Sequence, residues 1–314
     1  SSGTTYGIGE TVFIFNNSIT IGSVSQIQLL PSSINGNFKY TQPITDYVET
    51  DFPFINEDGS FATLTKTTND IGSNRIVTWT YIFNDNGVTG DGLFLSEKIT
   101  NQVNMSIDDF DSIPMSRQSG QFQNYKGSFP STSTNIPTLL PSTTCLSTFY
   151  QTINFNQDLS SWDTSKVIDM TSMFRNTDSF NQELITTENG WNTSNVKIMS
   201  NMFNNAKMFN QSLDTWDISN INNNVDMSVI NNIDIYDDIT TQETTETEET
   251  EPTMEGMLDN SALSVENYDN TLIGWAFQPV QPNVILGALN LEYSSSGELA
   301  RNFLINEPNN WDIQ

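Results

Sequence analysis

Hydrophobic positions in this chain follow two different periods, and the change falls near residue 110. Before it, apolar and polar residues alternate. Arg75–Phe83 (RIVTWTYIF) sets Ile76, Thr78, Thr80 and Ile82 on one face and Val77, Trp79, Tyr81 and Phe83 on the other, the two-residue period of a strand. Thr11–Phe15 and Ser18–Ile21 flank an Asn16-Asn17 turn, and Val24–Leu30 alternates until Pro31. Asn84–Gly92 reads as a loop leading from Arg75–Phe83 into a second hairpin strand, Leu93–Ile99. Short strands between Gly, Pro and Asn turns predict a β-sandwich-like domain over residues 1–110.

Beyond residue 110 the period lengthens. FNQDL at Phe155 returns as FNQEL at Phe180, 25 residues on, and as FNQSL at Phe209 after 29 more. The longer step follows from a TENG stretch ending at Gly190, ahead of Trp191. Trp162, Trp191 and Trp216 keep the same spacing, as do the pairs Met170/Met173 and Met199/Met202, which precede Phe174 and Phe203. Stepping back 25 residues from Met170 and Phe174 gives Cys145 and Phe149, so Cys145 occupies a core position of the repeat. A period in the twenties with several apolar positions per turn predicts a stacked solenoid, because no single turn buries its own Phe, Trp and Met. Asn156, Asn181 and Asn210 should then align, with side-chain amides bridging backbone groups of successive turns. Asp163-Thr164-Ser165 and Asp217-Ile218-Ser219 supply turn and N-cap oxygens, with a short helix expected near Asp169–Arg175.

The repeat wears down after Trp216, with Met227 and Ile230 as degraded positions, and gives way to an acidic Thr/Glu tract at 236–251. Met254, Met257 and Leu258 resume it. Leu263, Tyr268, Leu272 and Trp275 fit an amphipathic capping helix, followed by a strand at Val284–Leu291 and a helix at Gly297–Leu304.

Composition then restricts function. Over 314 residues, 38 acids against 11 bases give a net charge of −27, which repels phosphate backbones and anionic lipid headgroups and argues against nucleic-acid partners. Histidine is absent, which removes Ser-His-Asp and Cys-His catalysis and histidine metal sites. Cys145 is the only cysteine, so no intrachain disulfide forms. No apolar run reaches 18 residues, which predicts no direct membrane insertion. Ser1–Thr5 lack the basic and apolar regions of a signal peptide, so any export leader is expected to have been removed or to lie outside this sequence. Sequons stand at Asn16, Asn104, Asn192 and Asn210.

FNQDLSSWDTSKVIDMTSMF and WNTSNVKIMSNMF resemble the repeats of BspA-like, leucine-rich-repeat-type surface proteins, which are also abundant in mycoplasmas. MLDNSALSVENYDNTLIGWA and LGALNLEYSSSGELARNFLI are similar to the terminal segments of such proteins in marine bacteria and some large viruses, and Ile107–Phe122 resembles their lead-in stretch. The resemblance spans about residues 105–314 and implies adhesion or recognition at a cell or virion surface, with no catalytic residues. The expected fold is therefore mainly β: a β-sandwich-like domain (1–110), a short leucine-rich-repeat-like solenoid with small helices (111–262, acidic insertion 236–251) and an α/β cap (263–314).

Candidate chemistry is sparse. Asn84–Asp91 and Asn56-Glu57-Asp58-Gly59 echo calcium loops without the helices and distal acid such loops use, so hairpin turns are the simpler reading. The acidic tract would hold Ca2+ or a basic partner, or be a solvated insertion; a cofactor is otherwise not expected. Asp214 and Asp217 as a glycosidase pair compete with turn capping, the Trp series as a sugar platform competes with core packing, and Cys145 as a nucleophile lacks a base. No residue is assigned a catalytic, cofactor or metal role. The expectation is a non-enzymatic, extracellular adhesion or recognition protein with a protein or glycan partner on another surface. The alternative is a structural subunit, self-assembling or held by assembly neighbours, in an extracellular filament, surface layer or virus particle.

Overall fold

The computed structural model describes residues 10–13, 28–31, 35–46, 54–55, 63–82, 92–93, 105–111, 113–115, 119–132, 135–139, 144–187, 190–221 and 253–314. The expected strands at Ser18–Ile21 and most of Leu93–Ile99, the worn positions Met227 and Ile230, and the acidic tract 236–251 lie outside them.

The first strands are β1 (Glu10–Phe13), β2 (Gln28–Pro31), β3 (Asn35–Pro43), β4 (Phe54–Ile55), β5 (Thr63–Ile71), β6 (Asn74–Ile82), β7 (Gly92–Leu93) and β8 (Ser106–Asp109). The alternation in Arg75–Phe83 is β6, but its hairpin partner is β5, not the segment from Leu93: β5 and β6 pair antiparallel from Ile71↔Asn74 to Thr63↔Ile82. The two-residue turn is Gly72-Ser73, with Gly72 at φ 62°, the positive angle a primed hairpin turn requires at its first position. Leu93 in β7 pairs instead with Phe54 of β4 and Met115. Strands in the order β5-β6-β3-β8 make one antiparallel sheet. Phe38 and Tyr40 of β3 sit opposite Trp79 and Val77 of β6, and all four are buried with Ile107 of β8.

The expected β-sandwich is not what forms among the described residues. The buried face of this sheet meets Phe110, whose ring centroid is 6.0 Å from that of Phe38, and the remaining strands, including β9 (Pro114–Met115) and β10 (Thr138–Leu139), are two to four residues long. The leucine-rich-repeat-like solenoid is corrected too. Such a repeat contributes a strand, and a helix or 3-10 segment, to each turn. Here residues 144–187 and 190–221 contain neither strand nor helix, and strand-type pairing between these repeats is limited to the single bridges Thr144↔Asp169 and Asp169↔Ile198. The short helix expected at Asp169–Arg175 is also a run of turns. Left-handed residues four apart explain this: Ser147 and Gln151, Ser172 and Asn176, Asn201 and Asn205, and Gly256 and Asn260 all have φ between 54° and 65°. Neither a strand nor an α-helix tolerates such angles at that frequency.

The only α-helices among the described residues are α1 (Val265–Ala276) and α2 (Ser295–Ile305), followed by β12 (Asp312–Ile313), which pairs in parallel with β11 (Ile285–Leu286). The expected strand at Val284–Leu291 shrinks to those two residues. Ser264 caps α1 by accepting from the Asn267 amide, and Tyr268, Leu272 and Trp275 line its buried face. One hydrophobic cluster runs without a break from Phe38 to Ile313.

Candidate functional site

The repeated motifs turn out to be the means by which successive turns hold each other. In FNQ, the Asn156 side-chain oxygen accepts from the backbone N–H of Asn181 (2.9 Å), that of Asn181 from Asn210 (2.8 Å), and that of Asn210 from Ser264 (2.7 Å). The aligned asparagine column expected from the spacing is therefore present. The glutamine beside each asparagine works in the opposite sense, as a donor: Gln182 Nε2 to the Asn156 carbonyl and Gln211 Nε2 to the Asn181 carbonyl, both 3.1 Å. Asn267 of α1 takes the next place, donating to the Asn210 carbonyl at 2.7 Å.

The W-[DN]-T-S segment supplies the turns. Asp163, Asn192 and Asp217 each accept the backbone N–H two residues on, at 2.9–3.0 Å, the local bond that lets Asx side chains stabilise a turn. The tryptophans beside them are buried and bind backward, Trp162 Nε1 to the Pro137 carbonyl (3.0 Å) and Trp216 Nε1 to Leu184 (2.7 Å), as does Trp275 Nε1 of α1 to Leu213 (3.0 Å). The Trp191 indole N–H is buried without a hydrogen-bond partner; its ring lies 5.8 Å from that of Trp216. A sugar platform on these rings is ruled out by their burial.

Inside, two files of rings run through the turns. Phe122, Phe149, Phe174 and Phe203 follow one another at 5.4–5.6 Å, with planes within 8° of parallel. Phe155, Phe180 and Phe209 form the second file at 5.6 and 6.0 Å. The files touch within each repeat, Phe174 to Phe180 at 4.1 Å and Phe203 to Phe209 at 3.9 Å. Offset-stacked aromatic pairs contribute about 0.5–1.5 kcal/mol beyond their burial.

Of the side chains weighed for chemistry, Asp214 accepts the Ser212 hydroxyl at 2.7 Å and Asp217 the Ser219 amide at 2.9 Å, so both cap turns. Cys145 is buried, and burial, with the Asp169 carboxylate nearby, pushes its thiol up to about 12, far from a usable nucleophile. Burial likewise raises the carboxyl of Asp169, although the Thr171 hydrogen bonds oppose the shift. Asn210 spends its side-chain oxygen on Ser264 and Asn267, and Asn192 spends its own on Ser194. The loops at 56–59 and 84–91, and sequons Asn16 and Asn104, lie outside the described residues. Among the described residues no three of Cys, Asp and Glu are grouped to hold a metal ion, and no helix is long and apolar enough to cross a membrane.

Two features went unread in the sequence. Asp269, on the buried side of α1, accepts both the amide (3.0 Å) and the hydroxyl of Ser294, the N-cap of α2, and so fixes one helix against the other; the Ser-Ser-Ser-Gly run before Glu298 was the available signal. Large apolar side chains also face outward near the C-terminus: Phe277 is 87% exposed, Leu299 76% and Phe303 52%. The i, i+4 spacing of Leu299 and Phe303 could have flagged them.

Residues 138–241 match the family described as Mycoplasma protein of unknown function, DUF285. The matched stretch takes in the FNQ, W-[DN]-T-S and M-x-x-M-F repeats, and the likeness to a mycoplasma-type repeat family stands on it. No curated protein matches the chain. No solved structure matches it either.

Proposed function

We propose that this chain is a non-enzymatic recognition protein displayed on an extracellular surface, its turns a scaffold and its outward side chains the contact surface for a protein or glycan on another surface. The observation that carries the reading is the division of labour within the repeat. Phe, Trp and Met fill the interior, Asn and Gln tie turn to turn, and Asp and Ser cap, so the motif residues serve the fold and leave only the outward positions for contact. The outward positions differ from turn to turn: Tyr150 and Arg175 occupy equivalent places, with the Arg175 guanidinium 6.0 Å from the Tyr150 ring centroid, whereas Asn204 and Asp259 at the same place bond the Gly256 carbonyl and the Leu289 amide. The match to a mycoplasma-type repeat family and the strongly acidic composition support the same reading.

The test is a glycan and protein array probed with the whole chain, with any hit measured against a variant carrying Tyr150→Ala and Arg175→Ala. A saturable ligand whose affinity falls at least tenfold in the variant is the expected result. The absence of any saturable ligand, or turnover of an arrayed glycan or peptide, overturns the proposal.

A further inference from the structure

Residues on either side of 222–252 fit together as though nothing intervened. Trp162 to Met170 and Trp191 to Met199 both span eight residues, whereas Trp216 to Met254 spans thirty-eight. The excess is thirty residues, and the structure locates its boundaries. Five residues after each tryptophan comes a buried aliphatic, Val167, Val196 or Ile221, and each closes the same turn: its amide donates to Thr164, Thr193 or Ile218 at 2.9–3.1 Å. Immediately before the first methionine of each set stands the residue whose carbonyl receives the preceding repeat. Cys145 donates to Asp169 (2.8 Å), Met170 to Ile198 (2.9 Å) and Met199 to Thr253 (2.7 Å). Ile221 and Thr253 thus hold places that elsewhere lie two residues apart.

The alternate backbone bonds of the interface continue beyond that point. Asn201, Phe203 and Asn205 donate to Glu255, Met257 and Asp259 at 2.8–2.9 Å, as Ser172, Phe174 and Asn176 donate to Ser200, Met202 and Asn204. Further along, Trp275 bonds Leu213, Gln278 bonds Trp216 and Gln281 bonds Ser219, at 2.9–3.0 Å. Gly256, at φ 65°, occupies the left-handed place of Ser172 and Asn201, and the Asn201 side-chain oxygen lies where a Cβ at Gly256 would fall. The repeat at 253–260 is therefore fitted closely to the repeat at 199–205.

We infer that residues 222–251 are a thirty-residue insertion that the folded core does not need, with the seam between Ile221 and Pro252. The insertion is longer at its start than the 236–251 expected from composition, because repeat counting, not charge, sets its edges. It carries nine acidic residues and no basic one. The inference does not depend on the surface-recognition reading.

The test uses the full chain and two variants: one in which Ile221 is joined directly to Pro252, and one in which 222–251 is replaced by Gly/Ser residues of equal number. Since a shorter loop costs less entropy to close, the joined variant is expected to unfold cooperatively with a thermal midpoint at or above that of the full chain, and with the same near-ultraviolet circular dichroism. The replaced variant guards against a strained junction: native-like unfolding in either one supports the inference. Loss of the cooperative transition, or a midpoint more than ten degrees lower, in both variants overturns it.

Discussion

Phe174 is the side chain whose removal tests the packing most severely. It is fully buried and lies against rings on three sides, Phe149 at 5.6 Å, Phe203 at 5.4 Å and Phe180 at 4.1 Å. Phe174→Ala removes the buried ring and leaves a cavity bounded by other rings. Those rings belong to turns fixed by the Phe149→Met173, Phe174→Met202 and Phe203→Met257 backbone bonds, so the cavity collapses poorly. Core Phe→Ala changes cost about 3–5 kcal/mol, and the stacking on both neighbours puts this one near the upper end, about 4–5 kcal/mol. For a cooperative unit of some 200 residues, 1 kcal/mol shifts the melting midpoint by about 2–4 °C, giving a fall of roughly 8–20 °C. Phe277→Ala is the matched control: the same substitution at an 87% exposed site, where changes stay within about 0.5 kcal/mol. Urea unfolding followed by tryptophan fluorescence and circular dichroism measures both. If Phe174→Ala shifts the midpoint no further than Phe277→Ala, the stacked rings are not what stabilises this fold.

Other consequences follow from the polar ties. Asn181→Ala strips the acceptor from the Asn210 amide and Gln211 and should cost about 1–2 kcal/mol in urea unfolding, while Asn181→Asp, which keeps an acceptor there, should recover most of it. Asp169 has its carboxyl raised by burial, so the native state holds that proton more firmly than the unfolded chain. Its contribution is fully present below the ordinary carboxylate value, about 3.9, and is lost as pH rises through the raised native value. Asp169→Asn keeps the acceptor for the Thr171 amide (2.8 Å), so it should melt higher than the parent at pH 7, and the advantage should shrink towards pH 4. Cys145, buried with its thiol pushed up to about 12, should resist a thiol reagent at pH 8 until denaturant is added; fast labelling of the native protein would show that the first repeat is open.

What the sequence disclosed depended on whether a residue type has one physical use or several. Buried Phe, Trp and Met at 25-residue steps had to share an interior, and they do. The asparagine of FNQ was legible for a related reason, since a polar residue at a fixed offset from a core ring needs a fixed partner. The conformation of the turns was not legible. Asp169–Arg175 has the apolar spacing of a helix, yet Ser172 and Asn176 take left-handed angles that short polar side chains accept without announcing it in sequence. The β5–β6 hairpin was missed because Gly72-Ser73 lies in a polar, Thr-rich stretch where alternation is faint. The proposed recognition, which would reside in outward side chains under no packing rule, left the weakest trace.

Hydrogen exchange on the native protein tests most directly whether the repeats are bound into one body. The amides of Phe122, Phe149, Phe174, Phe203 and Leu258 each donate across to the following repeat, at 2.8–2.9 Å, and they span well over a hundred residues of sequence. If the shared interior unfolds as a unit, all five exchange slowly with one common opening free energy. Five unrelated rates, with those at Phe174 and Phe203 as fast as a frayed terminus, would contradict it.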